Sequence, residues 1–560
     1  MFWKKLIFDF IKENKIYIFS YFIIILILYP TETLLLPKIY SKLFDKIETD
    51  KITYLFSNIK DNILSFSNSG LIWIIILIWL CVIFLYSFKD FIEAEIIPKH
   101  TAFMRKKIFS KTIQKYSTNF SELKIGKQIT RMLETTRNLI DILTMSMLDL
   151  IPLTITIFSI IIYFLVTDTK IGIIMLISFI IICITIYIFG KKAVDKSIIR
   201  EKSYLNMSEK LSDSFSNLIN IYLNNESKKE IDNNKDTNNQ HSNHFLDQHH
   251  YTTILQTINT VVSISTFLTI IILSYYSIKN KINKPSYFVA IFVIMIYYLS
   301  NLLRLTNNIP AFIHKMGTVK NSEEYINYIF SDNNKTTTNN IIEKGSIQFK
   351  NISFKYPNLP SYILKDINLD ISSKERICLV GPSGSGKSTL VKLLLRMNNY
   401  DKGDIFIDDI NVKDFDINYL RKKVIYVNQK TNLFDDTVIN NIKYGNSNYT
   451  DDEIIKILQK YQLFDIYKGL NYGIHSKSGV NGTNLSLGMQ KVTILVRGIL
   501  KKGTIKILDE PLAGLDAITR IKIIKMIENE CKNQTLIIIT HDKEILPFCS
   551  KIINIKDIKN

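Results

Sequence analysis

The sequence predicts an all-α polytopic membrane domain followed by an α/β domain, and three observations carry that prediction. Long, charge-free apolar runs are confined to the chain before Asn308. A polar stretch, SDNNKTTTNN from Ser331, then interrupts the pattern. Beyond it, short apolar strands alternate with helix-period segments around a glycine-rich turn.

At 560 residues the chain is too long for one compact core, and 47% hydrophobic content is high for a wholly water-exposed protein. A bilayer core needs about 20 apolar helical residues. Runs of that kind predict six spans, near residues 16–37, 70–88, 147–166, 171–190, 257–277 and 286–305. Only the short turn TDTK separates the third and fourth spans, which predicts a hairpin there. The second and third, and the fourth and fifth, are separated by about sixty polar residues each. Alternation of long and short connections puts the long ones on one face, as helical extensions of the spans into water. The connection from Phe88 to Arg137 is basic (Lys89, Lys99, Arg105, Lys106, Lys107, Lys111), which marks that face as cytoplasmic. The resulting division is a membrane domain over residues 1–325, a linker over 326–343 and an α/β domain over 344–560.

The net charge of +19 is scattered, with no basic stripe interleaved with aromatics, so nucleic acid is excluded as a partner and anionic lipid is the expected one. The five cysteines show no CxxC pair and read as small buried apolar residues. The N-terminal MFWKKLIFDFIKENK lacks a small-residue cleavage site, so no cleaved signal peptide is expected. His241, His244, His249 and His250 fit no metal-ligand spacing and are expected on a solvated helix. Glu32 and Asp149 fall inside apolar runs, where an ionisable group touches a cavity, pairs with a partner or sits near a span end.

In the α/β domain, RICLV runs directly into Gly381-Pro382-Ser383-Gly384-Ser385-Gly386-Lys387-Ser388, and a helical segment begins at Thr389. Strand, glycine loop and helix in that order form a phosphate loop. Glycines let consecutive backbone N–H groups turn toward an anion, and the helix start adds its dipole. Lys387 is expected to reach the β and γ phosphates of ATP, and Ser388 to ligate Mg²⁺. Downstream, TIKILDE ends in Asp509, placed to hold Mg²⁺, and Glu510, placed to orient or deprotonate an attacking water. Lys506 interrupts this strand where a central parallel strand is normally apolar, so it is expected to snorkel outward or mark a looser strand.

With these motifs in order, the sequence resembles the ATP-binding cassette (ABC) transporters, specifically exporter-type half-transporters. Nearly the whole chain takes part in the likeness. It implies six transmembrane helices with long cytoplasmic extensions, then an α/β phosphate-loop NTPase cassette. It also implies ATP and Mg²⁺ as ligands, dimerisation with a second half-transporter, and export of a lipid, hydrophobic small molecule or peptide. Tyr356 matches the aromatic that stacks on adenine, and Gln429 the glutamine that senses Mg²⁺. Asp516, in AGLD, matches a loop at the dimer interface, and His541 the switch histidine on the γ-phosphate. NFSELKIGKQITRMLETT from Asn119 and LSDSFSNLINIYLNNES from Leu211 resemble the two coupling segments that pass motion from cassette to spans.

One motif departs from the family. Where it has Leu-Ser-Gly-Gly-Gln, the clamp on the opposite subunit's γ-phosphate, this chain has Leu485-Ser486-Leu487-Gly488-Met489. Ser486 and Gly488 are retained, and Leu487 is expected to restrict the backbone and add bulk beside a phosphate. Two arrangements stay open: a homodimer that tolerates the change, or a heterodimer with a partner whose clamp is intact. A membrane regulator that binds ATP without transport, or an ABC subunit dependent on a partner for hydrolysis, is the alternative function.

Overall fold

The computed structural model describes residues 2–56, 65–117, 125–280, 282, 284–331, 340–356, 359–429, 431–446 and 448–558. Residues 1–115 with 123–331 form one compact unit, and 332–560 with 116–122 form the other. Most of the polar stretch after Ser331, and the start of the first coupling segment at Asn119, lie outside the described residues.

The first unit is helical: α1 (Phe2–Glu13), α2 (Lys15–Pro30), α3 (Leu36–Phe56), α4 (Ser65–Lys115), α5 (Ile125–Met145), α6 (Ile151–Thr167), α7 (Thr169–Ser216), α8 (Leu218–Leu223), α9 (Ser227–Lys279), α10 (Pro285–Asn321) and α11 (Glu323–Phe330). Among the described residues, six continuous helical stretches are long and apolar enough to cross a membrane, as the sequence predicts. The 53 residues of α9 make a rod of about 80 Å at 1.5 Å per residue, against a hydrocarbon core of roughly 30 Å. The surplus length leaves room for the extension into water that the sequence predicts.

The α6–α7 hairpin turns at Asp168, whose carboxylate caps α7 by accepting from the Ile171 N–H at 3.4 Å. A Cβ on Gly172 would lie 2.5 Å from the Leu165 backbone nitrogen, so only glycine permits this approach of α7 to α6. One core cluster of the unit includes Ile157, Met175, Ile182, Ile294 and Tyr298, and a second includes Phe10, Tyr21, Ile25 and Ile96. Trp73, Leu77 and Phe84 of α4 face outward, as a lipid-facing helix requires. Both ionisable residues in the apolar runs sit in single π-helical turns, Glu32 in Thr31–Leu35 and Asp149 in Ser146–Leu150. Glu32 has a partner: its Oε2 accepts from the Tyr86 hydroxyl at 2.6 Å. The four histidines lie on α9, with the His241 ring against Tyr204 and His249 against Phe245. The second coupling segment forms the turn from α7 through α8 to α9 and exposes Phe215, Ile219, Tyr222 and Leu223.

The second unit contains two sheets. Strands β1 (Ile347–Phe354), β2 (Leu364–Ile371), β4 (Lys402–Ile407) and β5 (Ile410–Asn411) form an antiparallel sheet in the order β2-β1-β4-β5. Strands β3 (Arg376–Val380), β6 (Val424–Val427), β7 (Ile505–Asp509), β8 (Thr535–Ile539) and β9 (Lys551–Asn554) form a parallel sheet in the order β6-β7-β8-β3-β9. Helices α12 (Lys387–Leu394), α13 (Ile417–Lys423), α14 (Val438–Lys443), α15 (Asp451–Lys460), α16 (Leu487–Leu500) and α17 (Ala517–Glu530) complete it. Every residue of β7 and β8 is buried, which is why TLIII and IKILD carry no alternation of polar and apolar positions.

Two sequence expectations are corrected here. Lys506 neither snorkels nor loosens its strand: it is 2% exposed, paired in register on both sides, and its ammonium donates to the Ile499 carbonyl in the last turn of α16. That carbonyl has no partner within the helix, and the buried amine supplies one. The cysteines are also not all small buried apolar groups. Cys378 and Cys549 are joined in a disulfide, Cys81 and Cys183 are exposed, and Cys531 alone is both free and buried.

Candidate functional site

Parallel pairing brings the chemistry-bearing residues to one end of the sheet. Asp509 of β7 is level with Ile539 of β8, and Ile539 with Leu379 of β3. The phosphate loop leaves β3 two residues beyond that level, His541 follows β8, and Glu510 follows β7. This is the carboxyl edge, where ligands of open α/β sheets bind.

Within the loop, Gly381, Gly384 and Gly386 have φ of 146°, 77° and 100°, values that favour glycine. Gly386 directly precedes α12, and a Cβ there would lie 2.7 Å from Leu364 Cδ2. Lys387 is 8% exposed. Its Nζ donates to the carbonyls of Gly381 at 2.7 Å and Pro382 at 3.0 Å, and lies 3.3 Å from His541 Nε2. Burial pulls the Lys387 amine below the usual lysine range, with Glu510 and Asp509 opposing that shift. The Ser385 hydroxyl is buried and has no hydrogen-bond partner among the described residues, so it is able to donate to an anionic oxygen.

Around the loop a cavity of about 570 Å³ is lined by Tyr356, Ser383, Gly384, Ser385, Gly386, Lys387, Ser388, Thr389, Gln429, Asp509, Glu510 and His541. The Tyr356 ring packs edge-on against Phe354, and its hydroxyl is 3.4 Å from Thr389 Oγ1. Glu510 adopts a left-handed backbone (φ 50°), a strained state for a non-glycine residue of the kind concentrated at functional sites. Its carboxylate lies 3.7 Å from His541 Nε2, and burial raises its pKa above the ordinary carboxylate value.

Ser486, Gly488 and Asp516 lie apart from this cavity's lining. Ser486 caps α16, its Oγ accepting from the Met489 N–H at 3.3 Å, and Asp516 caps α17 by accepting from the Thr519 N–H at 2.9 Å. Leu487, expected to restrict the backbone and add bulk, occupies the first helical position of α16 without a left-handed φ and is 79% exposed. The helix-start N–H groups survive the substitution, and the leucine projects from them.

Sequence reasoning missed Tyr426 and Lys491. Tyr426 in β6 donates its hydroxyl to Asp509 Oδ2 at 2.8 Å. Lys491 on α16 is buried, its amine held low by burial and raised by Asp509 and Glu510. A polar-tipped residue inside each apolar pattern was the available signal.

A helical membrane-spanning unit followed by a phosphate-loop α/β domain defines a membrane-anchored nucleotide-binding class. The family model for the ABC transporter transmembrane region matches residues 15–303, and that for ABC transporter matches residues 364–513. The chain belongs to the ABC transporter family. An ATP-dependent lipid A-core flippase of Wigglesworthia glossinidia brevipalpis is 40% identical over 199 residues, 35% of this chain and 34% of that protein. Another, of Photobacterium profundum, is 28% identical over 302 residues, 54% of this chain and 51% of that protein. The matched stretches thus span a third to a half of these relatives. A solved structure of a bacterial Atm1-family ABC exporter with ATP bound superposes with a TM-score of 0.81 at 16% identity, over 96% of this chain and 93% of that one. That likeness establishes the fold.

Proposed function

We propose that this chain is an ATP-driven exporter that works as a dimer of half-transporters, with its cassette on the cytoplasmic side of the membrane. The observation that carries the reading is the single cavity edge where Lys387, Asp509, Glu510 and His541 meet. ATP is the substrate of that edge: Tyr356 stacks on the base, and the loop from Gly381 to Thr389 wraps the phosphates. Lys387 gives up its carbonyl partners for phosphate oxygens. Glu510, its pKa raised by burial, accepts the proton of the attacking water. His541, within reach of both Lys387 and Glu510, contacts the γ-phosphate.

Ser388, Gln429 and Asp509 supply the hard oxygen donors that suit Mg²⁺, and all three line the cavity. At these donors a bound Mg²⁺ would supply charge neutralisation for the phosphates. Ser486 and Gly488, at the start of α16, and Asp516 complete the site of the opposite subunit. The basic extension of α4 supports a cytoplasmic cassette. The names of the flippase relatives favour a lipid among the open substrate classes.

The test is reconstitution of the purified chain alone in liposomes, with ATP hydrolysis measured for wild type and Glu510→Gln. Turnover by the wild type, and retention of unhydrolysed ATP by the variant, support a hydrolysing homodimer. Absence of turnover that is restored by a second half-transporter supports a heterodimer. Hydrolysis by Glu510→Gln at the wild-type rate sinks the assignment.

A further inference from the structure

The Asp509 carboxylate is 3% exposed, and among the described residues its one hydrogen-bond donor is the Tyr426 hydroxyl, 2.8 Å from Oδ2. Tyr426 reaches it because β6 and β7 pair in parallel with Tyr426 opposite Ile507. Asp509 lies two residues beyond Ile507. The same hydroxyl is 3.2 Å from Asn428 Oδ1, and Asn428 immediately precedes Gln429. A phenol carries one proton, so it serves one acceptor at a time, and the shorter contact is to Asp509.

We propose that Tyr426 is a positioning residue for the metal-ligating carboxylate, fixing Asp509 through Oδ2 and leaving Oδ1 free to face the metal. This rests on the reading of Asp509 as a Mg²⁺ ligand. A carboxylate held by one donor has lost the rotation that metal binding would otherwise have to freeze. Outer donors of this kind are worth about 10–100-fold in metal affinity.

The test uses the full chain in detergent, in the Glu510→Gln background with ATP, and measures free Mn²⁺ by electron paramagnetic resonance during titration. Tyr426→Phe is expected to raise the Mn²⁺ Kd about 10–100-fold, with metal-free ATP binding in EDTA unchanged. Asn428→Ala, which leaves Asp509 as the hydroxyl's sole acceptor, is expected to retain or tighten Mn²⁺ binding. An equal loss in Asn428→Ala and Tyr426→Phe would mean a merely structural effect and overturn the proposal. Asp509→Asn separates the two layers of argument. If it binds Mn²⁺ as tightly as the parent, the ligand reading itself fails. If it weakens binding while Tyr426→Phe does not, only the positioning role fails.

Discussion

Replacing Lys387 by Ala removes the one ammonium that the phosphate loop holds at its centre. Nζ donates to the carbonyls of Gly381 at 2.7 Å and Pro382 at 3.0 Å, and in the proposed mechanism phosphate oxygens take over these bonds when ATP enters. Hydrogen bonds to a charged group contribute about 1.5–3 kcal/mol each. Two of them amount to roughly 3–6 kcal/mol, or about 10²–10⁴-fold in Kd at 1.4 kcal/mol per decade. Because the carbonyl bonds are surrendered in exchange, the lower end applies, and the expected loss is about 100-fold. Folding should hardly change, since Gly381 and Pro382 are both solvent-accessible and water can replace the amine. The assay is equilibrium dialysis of labelled ATP against the detergent-solubilised chain, with an unfolding midpoint as control. Lys387→Arg retains the charge but not the compact donor, and is expected to bind almost as poorly as the alanine variant. An alanine variant that binds ATP within threefold of wild type would refute the reasoning.

Three further outcomes follow from the site and its supports. Glu510 must be deprotonated to act as a base and its pKa is raised by burial, so hydrolysis should fall on acidification at a pH above the ordinary carboxylate range. A pH–rate profile with its acid limb at an unshifted carboxylate value would contradict this. A Cβ at Gly498 would meet Val427 Cγ2 at 2.1 Å, so Gly498→Ala should cost about 1–3 kcal/mol through overpacking of α16 on β6, read as a lower unfolding midpoint. Leu487→Gly restores the family's glycine at an exposed position of the helix start proposed to complete the opposite subunit's site, and should raise turnover at least about twofold; an unchanged or lower rate of ATP hydrolysis would contradict this.

The spans, the hairpin at Asp168 and the order of cassette motifs were legible because each is written in consecutive residues. Apolar runs of span length, a capped turn, and a glycine loop between strand and helix need no knowledge of distant pairing. What escaped depends on register between segments far apart in sequence. Tyr426 reads locally as an apolar strand residue, and only the β6–β7 pairing brings it to Asp509. Lys506 looked misplaced because the carbonyl that receives it belongs to α16. Cys378 and Cys549 are separated by 171 positions, and only the parallel neighbours β3 and β9 bring them to a Cα separation of 5.7 Å. Leu487 was legible as a departure from the family's motif, while its exposure was not, since that depends on where α16 begins and on what packs around it.

The proposal as a whole requires nucleotide chemistry in the cassette to move helices in lipid. Hydrogen–deuterium exchange of the Glu510→Gln chain in lipid nanodiscs, with and without Mg-ATP, reads this directly. Altered exchange is expected in the phosphate loop and also along the ends of α4, α7 and α9 proposed to extend into water. Changes confined to residues beyond Ser331 would contradict it.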